Sequence, residues 1–327
     1  MKFKLFLTAL MALAALVLSA TSAAQTSAWA TKPVRIVTGW TPGGNADVVS
    51  RLLADQYAKR VPQPVIVENR PGASGTIGAG FVTRADPDGN TLLVATMVEV
   101  TVVPPATVQT MGYDPDKDLT PVTMIGRWPL VLVANPNFPP NTVAELAAYV
   151  KANKGKVSYG SLGVASINHV TGELLKMTLG IDAVHVPYKG GAPMATDLVG
   201  GQIQYAFDSV GAMLPYIKGG KVKAIAITGA QRDPALPNVP TTAEAGYPEV
   251  NTGVWMGLFV PAKTPKPIVD ALHDDTVAIL NTPEVRKSLA DRAINVVANA
   301  SEAFRTEIAT ETANKRELAA RIGIKPE

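Results

Sequence analysis

Two short stretches carry the residue types from which an anion site can be built. The first is Thr41-Pro42-Gly43-Gly44-Asn45-Ala46-Asp47, set between a run of β-branched residues and an amphipathic helical pattern. Glycine lets the backbone bend with its N–H groups turned outward, and a helix that starts there adds partial positive charge. A carboxylate or phosphate is the natural guest of such a turn. The simpler alternative is an ordinary strand-to-helix turn in which Asp47 neutralises the helix start. The second stretch is Tyr159-Gly160-Ser161-Leu162-Gly163-Val164-Ala165-Ser166, which follows another strand pattern and precedes a helix containing His169. Ser161 and Ser166 place hydroxyls beside free N–H groups, again suited to an anion. Open α/β sheets bind ligands outside the carboxyl ends of their strands, where both turns fall, so the two could face each other across a cleft.

Other chemistry finds little support. No G-x-x-x-x-G-K-[ST] phosphate loop occurs, because Gly72-Ala73-Ser74-Gly75 lacks the lysine. Around Ser161 the first glycine of a nucleophile elbow is displaced by one position. There are no cysteines, which excludes disulfides, thiolate metal sites and a cysteine nucleophile. The three histidines, His169, His185 and His273, show no metal-ligand spacing. A nucleophile–base pair of Ser161 with His169 is the enzymatic arrangement left open, against satisfied polar groups beside a loop. No catalytic residue, metal or cofactor is assigned, and the chain is expected not to be an enzyme. His185 reads as a core or rim residue and His273 as part of a solvated helix face. Trp40 and Trp255 either line an apolar pocket or pack in the core. Asp208-Ser209 ends a strand, facing a cleft or capping the next helix. Glu99 has two readings. Either it points to solvent on a loop, or it meets the far side of a ligand, repelling a second carboxylate and attracting a donor.

The elements that must position these residues alternate. Strand patterns at Val34–Thr38, Pro64–Val67 and Thr91–Ala95 frame a helix from Asn45 to about Arg60. Pro121–Ile125 and Leu130–Ala134 read as two strands separated by Gly126-Arg127-Trp128-Pro129. Thr142 and Glu145 form a capping box opening a helix to about Asn153. Strand–helix units follow at Val157–Ser161, Ala183–Val186, Ile203–Phe207 and Lys223–Thr228. A late strand, Val254–Val260, precedes helices at Lys266–Leu280, Pro283–Arg292 and Ser301–Ile322, with a short strand near Ile294–Val297. The alternation predicts parallel sheets flanked by helices, in two lobes with chain crossings near Pro121–Ile125 and Tyr247–Val254.

Lys2 and Lys4, an apolar run from Leu5 to about Ala20 and the small residues up to Ala24 have the order of a secretory signal peptide. The run is shorter than the roughly 20 residues a spanning helix needs. Cleavage is expected after Ala24, with Ala28 and Ala30 as alternatives, leaving a soluble exported protein. Its roughly 300 residues suit two lobes better than one core. Without Lys2 and Lys4 the 30 basic residues fall to 28 against 27 acidic ones. Such a near-neutral chain has no basic surface for nucleic acid.

The string Lys32-Pro33-Val34-Arg35-Ile36-Val37 leading to Pro42-Gly43-Gly44 and Asp47 resembles the opening of the tripartite tricarboxylate transporter substrate-binding proteins, also called Bug receptors. The likeness continues through Glu68-Asn69-Arg70-Pro71-Gly72, Pro87-Asp88-Gly89, Tyr113-Asp114-Pro115, His185-Val186-Pro187-Tyr188, Leu236-Pro237-Asn238-Val239-Pro240-Thr241 and Pro261-Ala262-Lys263-Thr264-Pro265. It covers essentially the whole mature chain in order. The resemblance implies a monomeric periplasmic receptor of the two-lobed type II binding-protein fold, with a signal peptide at 1–24. Its first lobe would be 25–124 plus 249–327, and its second 125–248. It would deliver a small organic carboxylate to a membrane carrier of one large and one small subunit; presenting the loaded form to a sensor kinase is the alternative. Carried over from the family, the pincers are Gly43, Gly44, Asn45 and Ala46 on one side. On the other they are Ser161, Gly163, Ala165, Ser166 and His169, with Asp208 nearby. Asp47 is expected to brace its own turn. Two positions and one stretch depart from the family pattern: Ala165 stands for Gly, Trp40 for Phe, and Met97-Val98-Glu99-Val100 for small or hydroxyl residues.

Overall fold

The computed structural model describes residues 29–102, 112–164, 166–229 and 231–322, so the leader segment and Ala165 lie outside the described residues. Strands β1 (Val34–Thr38), β2 (Val65–Asn69) and β3 (Thr91–Thr96) begin the chain, with helices α1 (Asn45–Tyr57) and α2 (Thr76–Thr83) between them. A π-helical turn, Val98–Val102, follows β3, and a short helix α3 (Pro115–Asp118) leads into β4 (Leu119–Ala134). Next come α4 (Val143–Ala152), β5 (Ser158–Ser161), α5 (Ile167–Leu179), β6 (Val184–Pro187), α6 (Gly191–Gly200), β7 (Tyr205–Ser209), α7 (Val210–Lys218) and β8 (Lys223–Ile227). The chain closes with β9 (Gly253–Pro261), α8 (Lys266–Leu280), α9 (Pro283–Ala290), β10 (Asn295–Val296) and α10 (Ser301–Ile322).

The strands lie in the order β2-β1-β3-β9-β4-β7-β5-β6, with β8 and β10 also paired to β4. Side-chain alternation gives each half two apolar faces. In the first half Leu92, Val94, Met256 and Leu258 face Val49, Leu53 and Tyr57 of α1 and Leu272 and Ile279 of α8. Leu93, Ala95, Trp255 and Phe259 face Ala79 and Val82 of α2 and Phe304 of α10. In the second half Leu130, Leu132, Tyr205 and Phe207 face α4 and α5, while Val131, Val133 and Ala206 face α6 and α7. Both halves are therefore sheets covered by helices on both sides.

Two sequence expectations change. The sheets are mixed rather than parallel, because β9 runs antiparallel to β3 and β4 runs antiparallel to β9, β7 and β8. The strands expected at Pro121–Ile125 and Leu130–Ala134 are one continuous β4. Gly126-Arg127-Trp128-Pro129 has turn composition, yet it pairs with Met256 through Gly253, and bulges at Pro121/Thr123 and Met124/Gly126 absorb the irregularity. A Cβ on Gly126 would lie 2.8 Å from the Asn295 carbonyl, so the glycine there admits β10 rather than a turn.

This strand orients the molecule. β4 pairs with β9 as far as Pro129 and with β7 and β8 from Leu130 on. Since β3 and β4 are both antiparallel to β9, and β1 and β2 are parallel to β3, the first three strands run toward the second half. β7 is antiparallel to β4 and β5 is parallel to β7, so these strands run back toward the first half. The carboxyl ends of both sets converge. Through Met256, Thr96 at the end of β3 stands level with Gly126, and Asp208 lies opposite Val131. At roughly 3.3 Å per residue the stretch of β4 between those levels spans about 16 Å.

Candidate ligand-binding site

Each glycine-rich turn leaves a strand at this convergence. In the first, Asp47 is buried and accepts from the Gly43 N–H (2.9 Å), Arg51 Nε (3.0 Å) and Asn69 Nδ2 (2.9 Å). Asn69 also donates to the Trp40 carbonyl at 3.0 Å, tying the end of β2 to the turn. The Arg51 guanidinium, with the Gly43 and Asn69 donors, holds the Asp47 carboxyl down at about 2. Asp47 is thus the internal brace of its turn, as expected. Gly44, the N-cap of α1, makes no side-chain bond to the helix start, and Gly43 and Gly44 are exposed while Asn45 is half-buried and Ala46 buried. No side chain caps the N–H groups that open α1, and an uncapped helix start of this kind can receive an anion.

Glu99 lies directly behind this turn. It is fully buried, which removes the expectation of a solvent-facing loop residue. Trp40 Nε1 donates to Oε1 at 2.8 Å, while the Thr96 N–H (3.1 Å) and Thr96 hydroxyl (2.5 Å) donate to Oε2. Burial pushes its carboxyl up to about 7, against the pull of those donors. Gly75 makes room for it: a Cβ there would come within 2.5 Å of Glu99 Cγ.

In the second turn Gly163 has φ +119°, a left-handed conformation that favours glycine. Ser161 is fully buried; its hydroxyl donates to the Gly163 carbonyl (3.0 Å), accepts from the Gly163 N–H (3.2 Å) and lies 2.7 Å from His185 Nε2. With the serine proton on Gly163, we assign Nε2–H of His185 as the donor to Ser161. The serine's histidine partner is therefore His185, not His169. Ser166 is the N-cap of α5: it accepts from the His169 N–H at 3.2 Å and donates to the Gly163 carbonyl at 2.7 Å. His169 and His185 stack with centroids 3.8 Å apart. Burial and then the neighbouring His169 push His185 down to about 4, and burial lowers His169 as well.

Asp208 is buried at the end of β7, where it accepts from the Ser209 N–H at 2.7 Å, and Ser209 caps α7. The capping reading of the pair is thus realised by Ser209. Burial raises the Asp208 carboxyl to about 6 against the pull of Ser209 and Asn168, and the carboxylate lies 3.5 Å from where a Cβ on Gly191 would stand, at the start of α6. Trp255 belongs to the core, tilted against Phe259 and edge-to-face with Phe304, and its indole N–H donates to Glu311. His273 is partly buried and bonds the Asn299 carbonyl at 3.2 Å, rather than lying on a solvated face. Sequence reasoning missed His185 and Thr96 as partners of Ser161 and Glu99, and no local pattern points to either pairing. A separate depression of about 530 Å³ opens at the opposite end of the first half, between α8 and α10. Its cations are paired with its own acids, Lys266 with Asp270 and Arg305 with Glu302.

Two α/β halves joined by long strands, with glycine-rich turns on the converging strand ends, define a two-lobed periplasmic binding protein of type II. The sequence profile of the tripartite tricarboxylate transporter family receptor matches residues 49–324, and the chain belongs to that family of solute-binding receptors. It is 38% identical over 280 residues to a UPF0065 protein from the gbd 5′ region of Cupriavidus necator, covering 85% of this chain and 84% of that one. Among solved structures it resembles an R. palustris protein with adipate, at 32% identity and a TM-score of 0.77, covering 91% of this chain and 100% of the other. It also resembles MatC from Rhodopseudomonas palustris with bound malate, at 34% identity and a TM-score of 0.72, covering 88% and 99% respectively. Among the described residues no helix is long and apolar enough to cross a membrane.

Proposed function

We propose that this receptor captures a small organic carboxylate between its lobes in the periplasm and delivers it to an integral membrane transporter of one large and one small subunit. The convergence of the two glycine-rich turns at the carboxyl ends of oppositely running strands carries this reading. Gly43, Gly44, Asn45 and Ala46 present backbone N–H groups from one lobe. Gly163, Ala165, Ser166 and His169 answer from the other, with Asp208 beside them and Ser161 and Trp40 shaping the walls. The adipate and malate held by related proteins agree with a carboxylate guest. The ligand leaves unchanged, no cofactor takes part, and the protein works as a monomer released from its leader after Ala24.

We place the first lobe at 25–124 plus 249–327 and the second at 125–248. The pivots lie a few residues further along, where β4 changes partners at Pro129–Leu130 and where β9 begins at Gly253. A thermal-shift screen of mono-, di- and tricarboxylates tests the ligand class, because a ligand at 100 times its dissociation constant stabilises by about 2.7 kcal/mol. A panel in which amines or sugars raise the melting temperature and no carboxylate does would remove the proposal.

A further inference from the structure

We infer that Glu99 is a positioning residue that determines specificity at the carboxylate site, setting the charge behind the first-lobe turn through Trp40 so that ligand is taken up together with a proton. This rests on the carboxylate reading above. Glu99 sits on the π-helical turn just after β3, at the cleft end of the first lobe. Its three donors, the Trp40 indole and the Thr96 N–H and hydroxyl, are all neutral. Among the described residues no cation pairs with it, and the Gly75 backbone is so close that a Cβ there would stand 2.5 Å from Glu99 Cγ. Trp40 runs directly into Thr41–Asp47, so a charge on Glu99 is one side chain removed from the N–H groups that receive an anion.

The other ionisable groups around this turn are already engaged. Tyr113 donates its phenol to the Glu99 carbonyl at 2.8 Å. From α10, Lys315 bonds Thr101 at 2.9 Å and pairs with Glu311. Beside α3, Lys117 pairs with Asp114, and Asp118 accepts from the Asp114 N–H at 2.7 Å. On the ligand turn Asp47 pairs with Arg51. Burial raises the Glu99 carboxyl to about 7 in the free protein, and a ligand carboxylate beyond Trp40 raises it further by repulsion. Affinity is then highest below neutral pH and falls as pH rises through the free value, by up to about tenfold per unit until the bound value is reached. A dianion meets this barrier more strongly than a monoanion.

Calorimetry with adipate and malate as probes tests this, run at about pH 6 and about pH 8.5 in buffers of different ionisation heat. The parent protein is expected to bind about tenfold more weakly at the higher pH and to take up a proton there, whereas Glu99→Gln shows neither effect. Trp40→Phe removes one donor from the charged form, so its midpoint moves upward; it serves equally should Glu99→Gln fail to fold. A flat parent profile, or a slope that survives in Glu99→Gln, overturns the inference. In the ligand-free protein the Trp40 indole N–H resonance should titrate near neutrality and stop doing so in Glu99→Gln. That step supports the inference even where neither probe binds, in which case the failure falls on the carboxylate reading alone. Its absence between about pH 5 and 9 overturns the inference.

Discussion

Asp47 in the first glycine-rich turn and Glu99 behind it are two buried acids with opposite responses to pH. Asp47 titrates at about 2 in the fold, below its ordinary value of 3.8. Its stabilisation is therefore complete above the ordinary value and is lost as pH falls through about 2. Asp47→Asn should lose that acid limb in denaturant titrations and cost roughly 1–3 kcal/mol near pH 7, since it breaks a charged acceptor of three bonds. An unchanged acid limb would show that the brace is not formed. Glu99 titrates at about 7, above its ordinary value of 4.5, so the fold loses stability as pH rises between those two values. Across that window the parent should lose about 2–3 kcal/mol more stability than Glu99→Gln does. Ser166 bridges Gly163 and His169, so Ser166→Ala should cost about 1 kcal/mol of stability as a lost cap. It should also cost roughly 1–3 kcal/mol of carboxylate binding; a variant that binds as tightly as the parent excludes the second turn from the site. Asp47's role was legible because its partners are near in sequence. The placement of Glu99 was not, because Trp40 and Gly75 reach it from separate segments.

Elements with long, regular periodicity were legible to their ends: α8 at Lys266–Leu280, α10 at Ser301–Ile322 and β1 at Val34–Thr38 match the sequence pattern. β4 was not, since Gly126 and Pro129 are turn residues in any local window and only pairing with β9, more than a hundred residues on, makes them strand. A shorter separation, 24 residues, hid His185, which reaches Ser161 because β6 lies beside β5. Within α5, Gly172 offers a test in which packing opposes propensity. Alanine is favoured over glycine in a helix by about 1 kcal/mol, yet a Cβ on Gly172 would stand 2.2 Å from the Tyr159 ring. Gly172→Ala should therefore destabilise, by about 1–3 kcal/mol as an overpacked core does. It should also weaken ligand binding, because Tyr159 stacks on His185 and donates to Glu173 at 2.6 Å. A stabilised variant would mean that the ring has room to move.

For the whole molecule, two lobes joined through β4 and the approach to β9 should close on a ligand. Small-angle scattering with and without adipate should show a smaller radius of gyration in the complex; equal values at saturation would count against a closing receptor. The same two strands bear on how the chain reaches its fold. The second lobe draws its strands from β4 onward and closes them before β9, so most of its contacts are local in sequence. The first lobe is different: β3 cannot pair with β9, nor Leu93 and Phe259 pack on Phe304, until the last quarter of the chain is present. Loop closure over so many residues is slow. A chain emerging amino-terminus first on the far side of a membrane would hold β1, β2 and β3 as an incomplete sheet, with the edge of β3 open, while the second lobe was already assembled. That interval is when the receptor is most exposed to proteases and to pairing with its own copies. Pulsed hydrogen exchange during refolding should accordingly protect β5 and β7 before β1 and β3.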